Sequence, residues 1–360
     1  MRINAITIWR LKVPLVRPYH LTGVVLSELD VLLAEARGPD GQAGCGEAVI
    51  IPGYTDESVD EGWTFCREQS EALVGLQAVD AEERLDAWRP TLPHAVTVLR
   101  VAVEMMRGHP LFEPPAEPVR IPLAMAVMSQ DRADIAGEVE GHLTAGHRTL
   151  KLKGGWDRES DLARLQALQR AAAGRARIRF DANQGYSRDD ALALVDALDP
   201  EGIESIEQPC AADDWEANAA VAAASPVPLK LDESIYAETD IDRAAAMDGC
   251  GYVKMMLVKQ TGVGRLKSAL DHIRAVGLGP ILGNGAATDV NCWAEACVAR
   301  HTIDTAGEMN GFLKNRENLL ERPLRMEDGA LVLEPDFEPH LDHARVHRMA
   351  VARDAFGAGR

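Results

Sequence analysis

No run of about 18 apolar residues occurs in the 360-residue chain, so no helical membrane span is expected. The amino-terminal MRINAITIWRLKVPL has no apolar core followed by a cleavage site. It alternates apolar and polar residues and reads as a strand, and a cytoplasmic protein is expected. Cysteine is sparse and unpatterned: Cys45, Cys66, Cys210, Cys250, Cys292 and Cys297 form no CxxC pair and no regular framework. That excludes a disulfide scaffold and points to reduced thiols. Positive charge is also scarce, with 38 Lys and Arg against 56 Asp and Glu and a formal charge of −18. A phosphate backbone would be repelled, which excludes nucleic acid as the main partner. No segment is compositionally disordered, and 46% apolar residues suffice for a large core.

From about residue 120 a rhythm of short β-rich runs sets in. They lie at 121–128, 148–153, 177–181, 203–207, 227–232, 252–257, 279–282 and 302–306, with starts 23 to 29 residues apart. Helical signals fill the gaps. Leu162, Leu165 and Leu168 recur at helical spacing, and Ser187 is a good N-cap for DDALALVDAL, which stops at Asp199-Pro200. Eight strands alternating with helices at this period predict an α/β fold of the (β/α)8 type, a modified TIM barrel; a doubly wound sheet is the alternative. Residues 1–118 read as an α+β capping domain, with strands at 2–14, 22–37 and 43–48 and helices near 56–76 and 79–107. Residues 119–325 form the predicted barrel domain, and 326–360, with the strand-like ALVLEP (330–335), return to the cap. The prolines Pro114, Pro115 and Pro118 mark the boundary.

Catalytic groups of such barrels sit at the C-terminal ends of the strands. Here those ends read Lys151-Leu152-Lys153, Asp181-Ala182-Asn183, Glu207-Gln208-Pro209 and Asp232-Glu233-Ser234, and Lys254 lies on the sixth strand. Period-two alternation puts Lys151 and Lys153 on one face and Leu150 and Leu152 on the other. Carboxylates on three successive strands, 26 and 25 residues apart, make a hard all-oxygen site that suits magnesium. Flanking lysines become useful bases when desolvation, mutual repulsion and a nearby cation depress their pKa values. The metal would stabilise the enediolate left when the α-proton of a bound carboxylate departs.

These runs, KLKGG (151–155), DANQGY (181–186), IEQP (206–209), LDES (231–234) and KMMLVKQTG (254–262), resemble the enolase superfamily and within it the muconate-lactonizing subgroup. The resemblance implies one Mg2+ per subunit on Asp181, Glu207 and Asp232. It implies Lys153 and Lys254 as acid/base groups on opposite faces of a small carboxylate substrate, with Lys151 assisting Lys153, and it implies a homo-oligomer. The implied reaction is isomerisation, by a racemase, epimerase or cycloisomerase, with dehydration through the same enediolate as the alternative. In GEMNGFLKNRENLLERPL (307–324) the resemblance puts Glu308 at the barrel mouth opposite the metal. Dipeptide epimerases carry Asp-x-Asp there, and this chain has Glu308-Met309-Asn310. The cap should bring loops near residues 17–22 and 51–55 to the substrate, with Arg17, His20 and Tyr54 as candidates, and Asn284 is a further candidate contact. The sixth strand admits two registers, with Lys254 or Met256 at the base position; Lys254 is favoured, 22 residues from Asp232.

Ordinary structural roles compete at several positions. Lys230 and Arg179 share parity with Asp232 and Asp181 one layer deeper and read as internal ion-pair partners. Lys259 reads as a loop charge, and Cys210 as a small buried residue with no His to activate it. A Schiff-base aldolase or a non-enzymatic barrel would not need three strand-end carboxylates.

Overall fold

Three strands open the chain in the computed structural model, which describes residues 1–21 and 24–357. β1 (Ala5–Leu21), β2 (Val24–Arg37) and β3 (Ala43–Ile50) pair antiparallel as a meander. Alternation gives β1 two buried faces. Ile6 and Ile8 join a core with the helices α1 (Val59–Leu73), α2 (Ala78–Asp86) and α3 (Pro93–Met106), whereas Trp9, Leu11, Val13 and Leu15 join the core of the second half. Ser58 starts α1 with a capping box, its hydroxyl accepting from the Glu61 N–H while Glu61 accepts from the Ser58 N–H. The helix expected over 79–107 is two helices. Pro93 takes the first turn of α3, where its missing N–H costs nothing, and so begins a new helix.

The run expected as one strand over 121–128 also divides, into β4 (Val119–Pro122) and β5 (Met125–Val127), which belong to different sheets. From β5 the chain alternates regularly: α4 (Arg132–Thr144), β6 (Thr149–Lys153), α5 (Arg158–Ala172), β7 (Arg177–Asp181), α6 (Arg188–Asp196), β8 (Ile203–Glu207), α7 (Trp215–Ala224), β9 (Leu229–Leu231), α8 (Glu238–Ala245) and β10 (Cys250–Met255). There follow α9 (Leu257–Gln260), α10 (Val263–Ala275), β11 (Gly279–Leu282) and α11 (Asp289–Thr302). Strands β5 to β11 form one parallel seven-stranded sheet in chain order. Asp157 and Ser187 cap α5 and α6 through the N–H groups of Ser160 and Asp190, which fixes where each strand-to-helix loop ends.

The strand expected over 302–306 does not form. α11, buried on almost every side, carries the chain through Thr302, and residues 303–306 are irregular. In its place, residues 307–308 run between the edges of the sheet. Gly307 bridges Leu123 in parallel, and the Glu308 N–H donates to Leu282 O (2.7 Å). The ALVLEP run supplies β13 (Ala330–Leu333), which with β12 (Arg325–Glu327) pairs onto β4 and not onto the first sheet. α12 (His343–Met349) then leads into β14 (Ala350–Gly357), and β14 does return to pair with β1.

Candidate active site

The loops that follow β6 and β7 interlock through two glycines. A Cβ on Gly155 (φ +90°) would lie 2.0 Å from Ala182 O, and one on Gly185 would lie 2.1 Å from Gly155 O. Only bare backbone fits, which accounts for the glycines of KLKGG and DANQGY and locks the ends of the two strands together. Asn183 and Gln208 follow Asp181 and Glu207 in left-handed conformations, φ 41° and 35°. Both are over-determined by hydrogen bonds. The Asn183 N–H donates to Asp181 Oδ1 (2.9 Å), and Gln208 Oε1 accepts from the N–H groups of Asp232 (3.0 Å) and Ser234 (3.2 Å).

On that frame Lys153, Asp181 and Glu207 stand in register across β6, β7 and β8. Lys153 Nζ lies 2.7 Å from Asp181 Oδ2 and 2.6 Å from Asn183 Oδ1. Lys151 Nζ reaches Asp181 Oδ2 (2.9 Å), Glu207 Oε2 (2.6 Å) and Glu308 Oε2 (2.6 Å). From β10, Lys254 Nζ lies 2.8 Å from Asp232 Oδ2 and 3.2 Å from Glu207 Oε1. Lys230 bonds Glu207 and Glu308, and Arg179 bonds Glu204 and Glu308; both cations are fully buried, as internal ion-pair partners should be. Lys259 is not a loop charge. It is buried on α9, with Nζ 2.7 Å from Asp232 Oδ1. Cys210 is buried and unpaired by any disulfide, as expected.

Part of this cluster borders a cavity of about 80 Å³, while Asp181 and Glu207 lie behind its lining. Lys151, Lys153, Asp232, Lys254 and Glu308 line it from the parallel sheet and its edge, and Tyr54 closes over it from the loop after β3. The Tyr54 hydroxyl donates to Glu233 Oε1 (2.9 Å), which also accepts from Asn183 Nδ2 (2.9 Å). Glu308 lines the cavity, but both of its oxygens are already engaged by Lys151, Lys230 and Arg179, so it is an anchor for buried cations more than a free contact. Asn284 lines it too, with its Oδ1 committed to the Ala286 N–H (3.0 Å). His20 does not line it; Tyr19 and Leu21, of opposite parity on β1, do. Arg17 is exposed and pairs with Glu138. Residues 17–21 are strand and not loop, and Thr22 lies outside the described residues. Lys254 and Met256 both reach the cavity, Met256 just beyond the end of β10.

The lysine pKa values here follow the balance of burial against neighbouring carboxylates. Burial pushes Lys151, Lys153 and Lys254 down, but their carboxylate neighbours, led by Asp181 for the first two and Asp232 for the third, outweigh it and hold all three above the usual range. Conversely, burial would raise Glu207 and Asp232, and the ammoniums of Lys151 and Lys254 respectively pull them down. Glu233, buried beside Asp232 and Asp181, is pushed up to about 7.

Asp181, Glu207 and Asp232 are buried carboxylates on adjacent strands, and Glu207 Oε2 has two ammoniums in contact but no aligned hydrogen-bond donor. The donor chemistry fits a hard divalent ion. Among the described residues no three such groups converge closely enough to hold one in the arrangement seen, because the Lys151 and Lys254 ammoniums stand between the carboxylates.

Residues 134–339 match the family model described as Enolase C-terminal domain-like. The chain belongs to the enolase superfamily. Among superfamily relatives, the L-Lys-D/L-Arg epimerase of Methylococcus capsulatus is 28% identical over 357 residues, covering 92% of this chain and 96% of that protein. The muconate lactonizing enzyme of Pseudomonas fluorescens, solved with muconolactone, superposes with a TM-score of 0.88 at 25% identity over 97% of this chain and 99% of that one. The dipeptide epimerase of Cytophaga hutchinsonii, solved with Mg and the dipeptide D-Ala-L-Val, shares the fold at a TM-score of 0.89 and 18% identity, over 99% of this chain and 100% of that one. Superfamily likeness thus extends both to epimerases and to a muconate lactonizing enzyme.

Proposed function

We propose that this superfamily member is a magnesium-dependent isomerase that takes the α-proton from a small carboxylate substrate, on a (β/α)8-type barrel whose eighth position is filled by residues 307–308. The observation that carries the reading is one cavity bordered by Lys153 from β6 and Lys254 from β10, with Asp232 in its wall. Asp181, Glu207 and Asp232 would hold the ion. When bound, magnesium supplies charge compensation for the enediolate that forms as the proton leaves. The side chains do the rest. Strands β7, β8 and β9 separate the two lysines along the sheet, so a substrate between them offers each a different face of its α-carbon. Lys153 Nζ takes or returns the proton on one face and Lys254 Nζ on the other. Lys151 satisfies Asp181, Glu207 and Glu308, and its charge disfavours the protonated form of Lys153. Racemisation or epimerisation of an amino-acid derivative uses both lysines.

One observation favours a one-sided variant, cycloisomerisation or β-elimination, as the second reading. Met256 lines the cavity beyond Lys254, so the outermost side chain on that wall cannot carry a proton. Incubation of the magnesium-loaded protein in D2O with amino-acid derivatives, hydroxy acids and lactones tests both readings. Deuterium at the α-carbon is the expected result, and its absence across the library would remove proton abstraction as the function.

A further inference from the structure

One corner of the cavity holds a charge that this chemistry does not use. Lys314 ends the short 3-10 turn Gly311–Lys314, and its ammonium donates to Gly285 O (2.8 Å) and Asn310 Oδ1. It lies 5.1 Å from the centroid of the Tyr19 ring. Asn310 cannot turn away, because its Nδ2 donates to Ala124 O (2.6 Å). Gly285 keeps the corner open: a Cβ there would come within 3.1 Å of the Tyr19 hydroxyl and 3.6 Å of Lys314 Nζ. The other lysines of the cavity, Lys151, Lys153 and Lys254, each meet at least one carboxylate. Among the described residues Lys314 meets none, and its partners are a carbonyl and an amide oxygen. A half-buried ammonium with only neutral acceptors is under-compensated. Burial accordingly draws its pKa below the ordinary lysine value.

We propose that Lys314, with the Tyr19 hydroxyl beside it, receives a second anionic oxygen group of the substrate, so that the substrate class is a dianion. One carboxylate is engaged at the acidic strand ends, and the far one docks on Lys314. The inference rests on the reading of this cavity as the substrate site. A far carboxylate supplies the missing counter-charge and accepts from the ammonium, a charge-assisted bond between partly desolvated groups. A neutral far end leaves the ammonium as it stands. Recognition at this corner then separates dianions from monoanions of the same size.

The test is calorimetric binding to the magnesium-loaded protein of dicarboxylic acids from succinate to suberate, each paired with its monomethyl ester. The length that spans the cavity should bind at least roughly tenfold tighter than its ester. In Lys314→Met that ratio should fall to near one, and Lys314→Arg, which keeps the charge, should restore most of it. Lys314→Gln reads the same ratio if the methionine variant does not fold. A ratio near one at every length in the wild-type protein overturns the proposal, as does a ratio that persists in the uncharged variants. Proton exchange is not the readout, so a protein that discriminates dianions without exchanging deuterium upholds this inference while removing the proposed reaction. One that exchanges esters and dianions alike does the reverse.

Discussion

Lys254 Nζ and Asp232 Oδ2 are 2.8 Å apart, and Lys259 holds the other oxygen of the same carboxylate. A dication that takes Asp232 must therefore displace an ammonium or strip its proton. Magnesium binding is expected to release protons and to tighten as pH rises. Calorimetry in two buffers of different ionisation enthalpy counts the protons, and a count of zero at every pH would mean that the ammoniums are displaced with their protons on and that no lysine is deprotonated by the metal. Asp232→Asn should weaken magnesium binding by at least about tenfold; an unchanged affinity rules this carboxylate out as a ligand.

On the proposed reading the two lysines divide the chemistry by face. Lys153→Ala and Lys254→Ala should each abolish racemisation of a substrate that the wild-type protein racemises. Each should still exchange the α-proton of one enantiomer with D2O, and the two variants should spare opposite enantiomers. In the one-sided variant only the substitution at the true base loses exchange. Full activity of Lys254→Ala in every assay would place the base elsewhere on the sixth strand's wall and end the two-base reading.

Glu308 is the hinge of the buried charge network, touching Lys151, Lys230 and Arg179. Glu308→Leu takes one carboxylate partner from each of three buried cations, leaving Asp181, Glu207 and Glu204 to compensate them, and should cost on the order of 3–5 kcal/mol in denaturant unfolding. Glu308→Gln, which keeps the shape and one acceptor, should cost less. Equal and small losses in both would mean that the cations find water or other carboxylates.

The strand-end charges were legible because a parallel strand alternates faces and ends where its helix is capped. KLKGG, DAN, IEQP and LDES each fall at such an end, with the charged residue on the inward parity. Lys259 was not legible. It sits on the four-residue α9, too short for any periodic signal, and its ammonium meets Asp232 27 residues back in the chain. Lys314 is similarly placed by a 3-10 turn. Tyr19 was within reach of the same reasoning that chose His20. Leu11, Val13 and Leu15 are buried on odd positions of β1, and extending that parity selects Tyr19 and Leu21. The missing strand at 302–306 shows the opposite failure: its β-branched residues read as a strand, but α11 ends at Thr302 and the rest is irregular, with residues 307–308 meeting the sheet edges instead.

Glu47, in the middle of β3, accepts from the N–H of Thr288 (2.8 Å) and from its hydroxyl at the start of α11, tying the first sheet to the second half of the molecule. The tie is made by a buried carboxyl. Burial raises its pKa to about 8, with the Thr288 hydrogen bonds opposing and Asp289 and Glu295 adding to the rise. A carboxyl with a raised folded-state pKa binds its proton more tightly folded than unfolded. Its contribution to stability is therefore complete below the unfolded value of about 4.5 and drains away as pH climbs to about 8. Asp289 and Glu295, raised to about 6 and about 7, push in the same direction. Glu47→Gln removes the titration while keeping an amide oxygen for the Thr288 N–H. Variant and wild type should melt within about a degree of each other near pH 4, where the carboxyl is protonated in both folded and unfolded chains, and the variant should melt several degrees higher near pH 9, at roughly 2 °C per kcal/mol for a chain of this size. Melting curves measured across that range decide it: two profiles that stay parallel would mean that Glu47 is ionised in the fold throughout and that its hydrogen bonds to Thr288 outweigh the cost of burial.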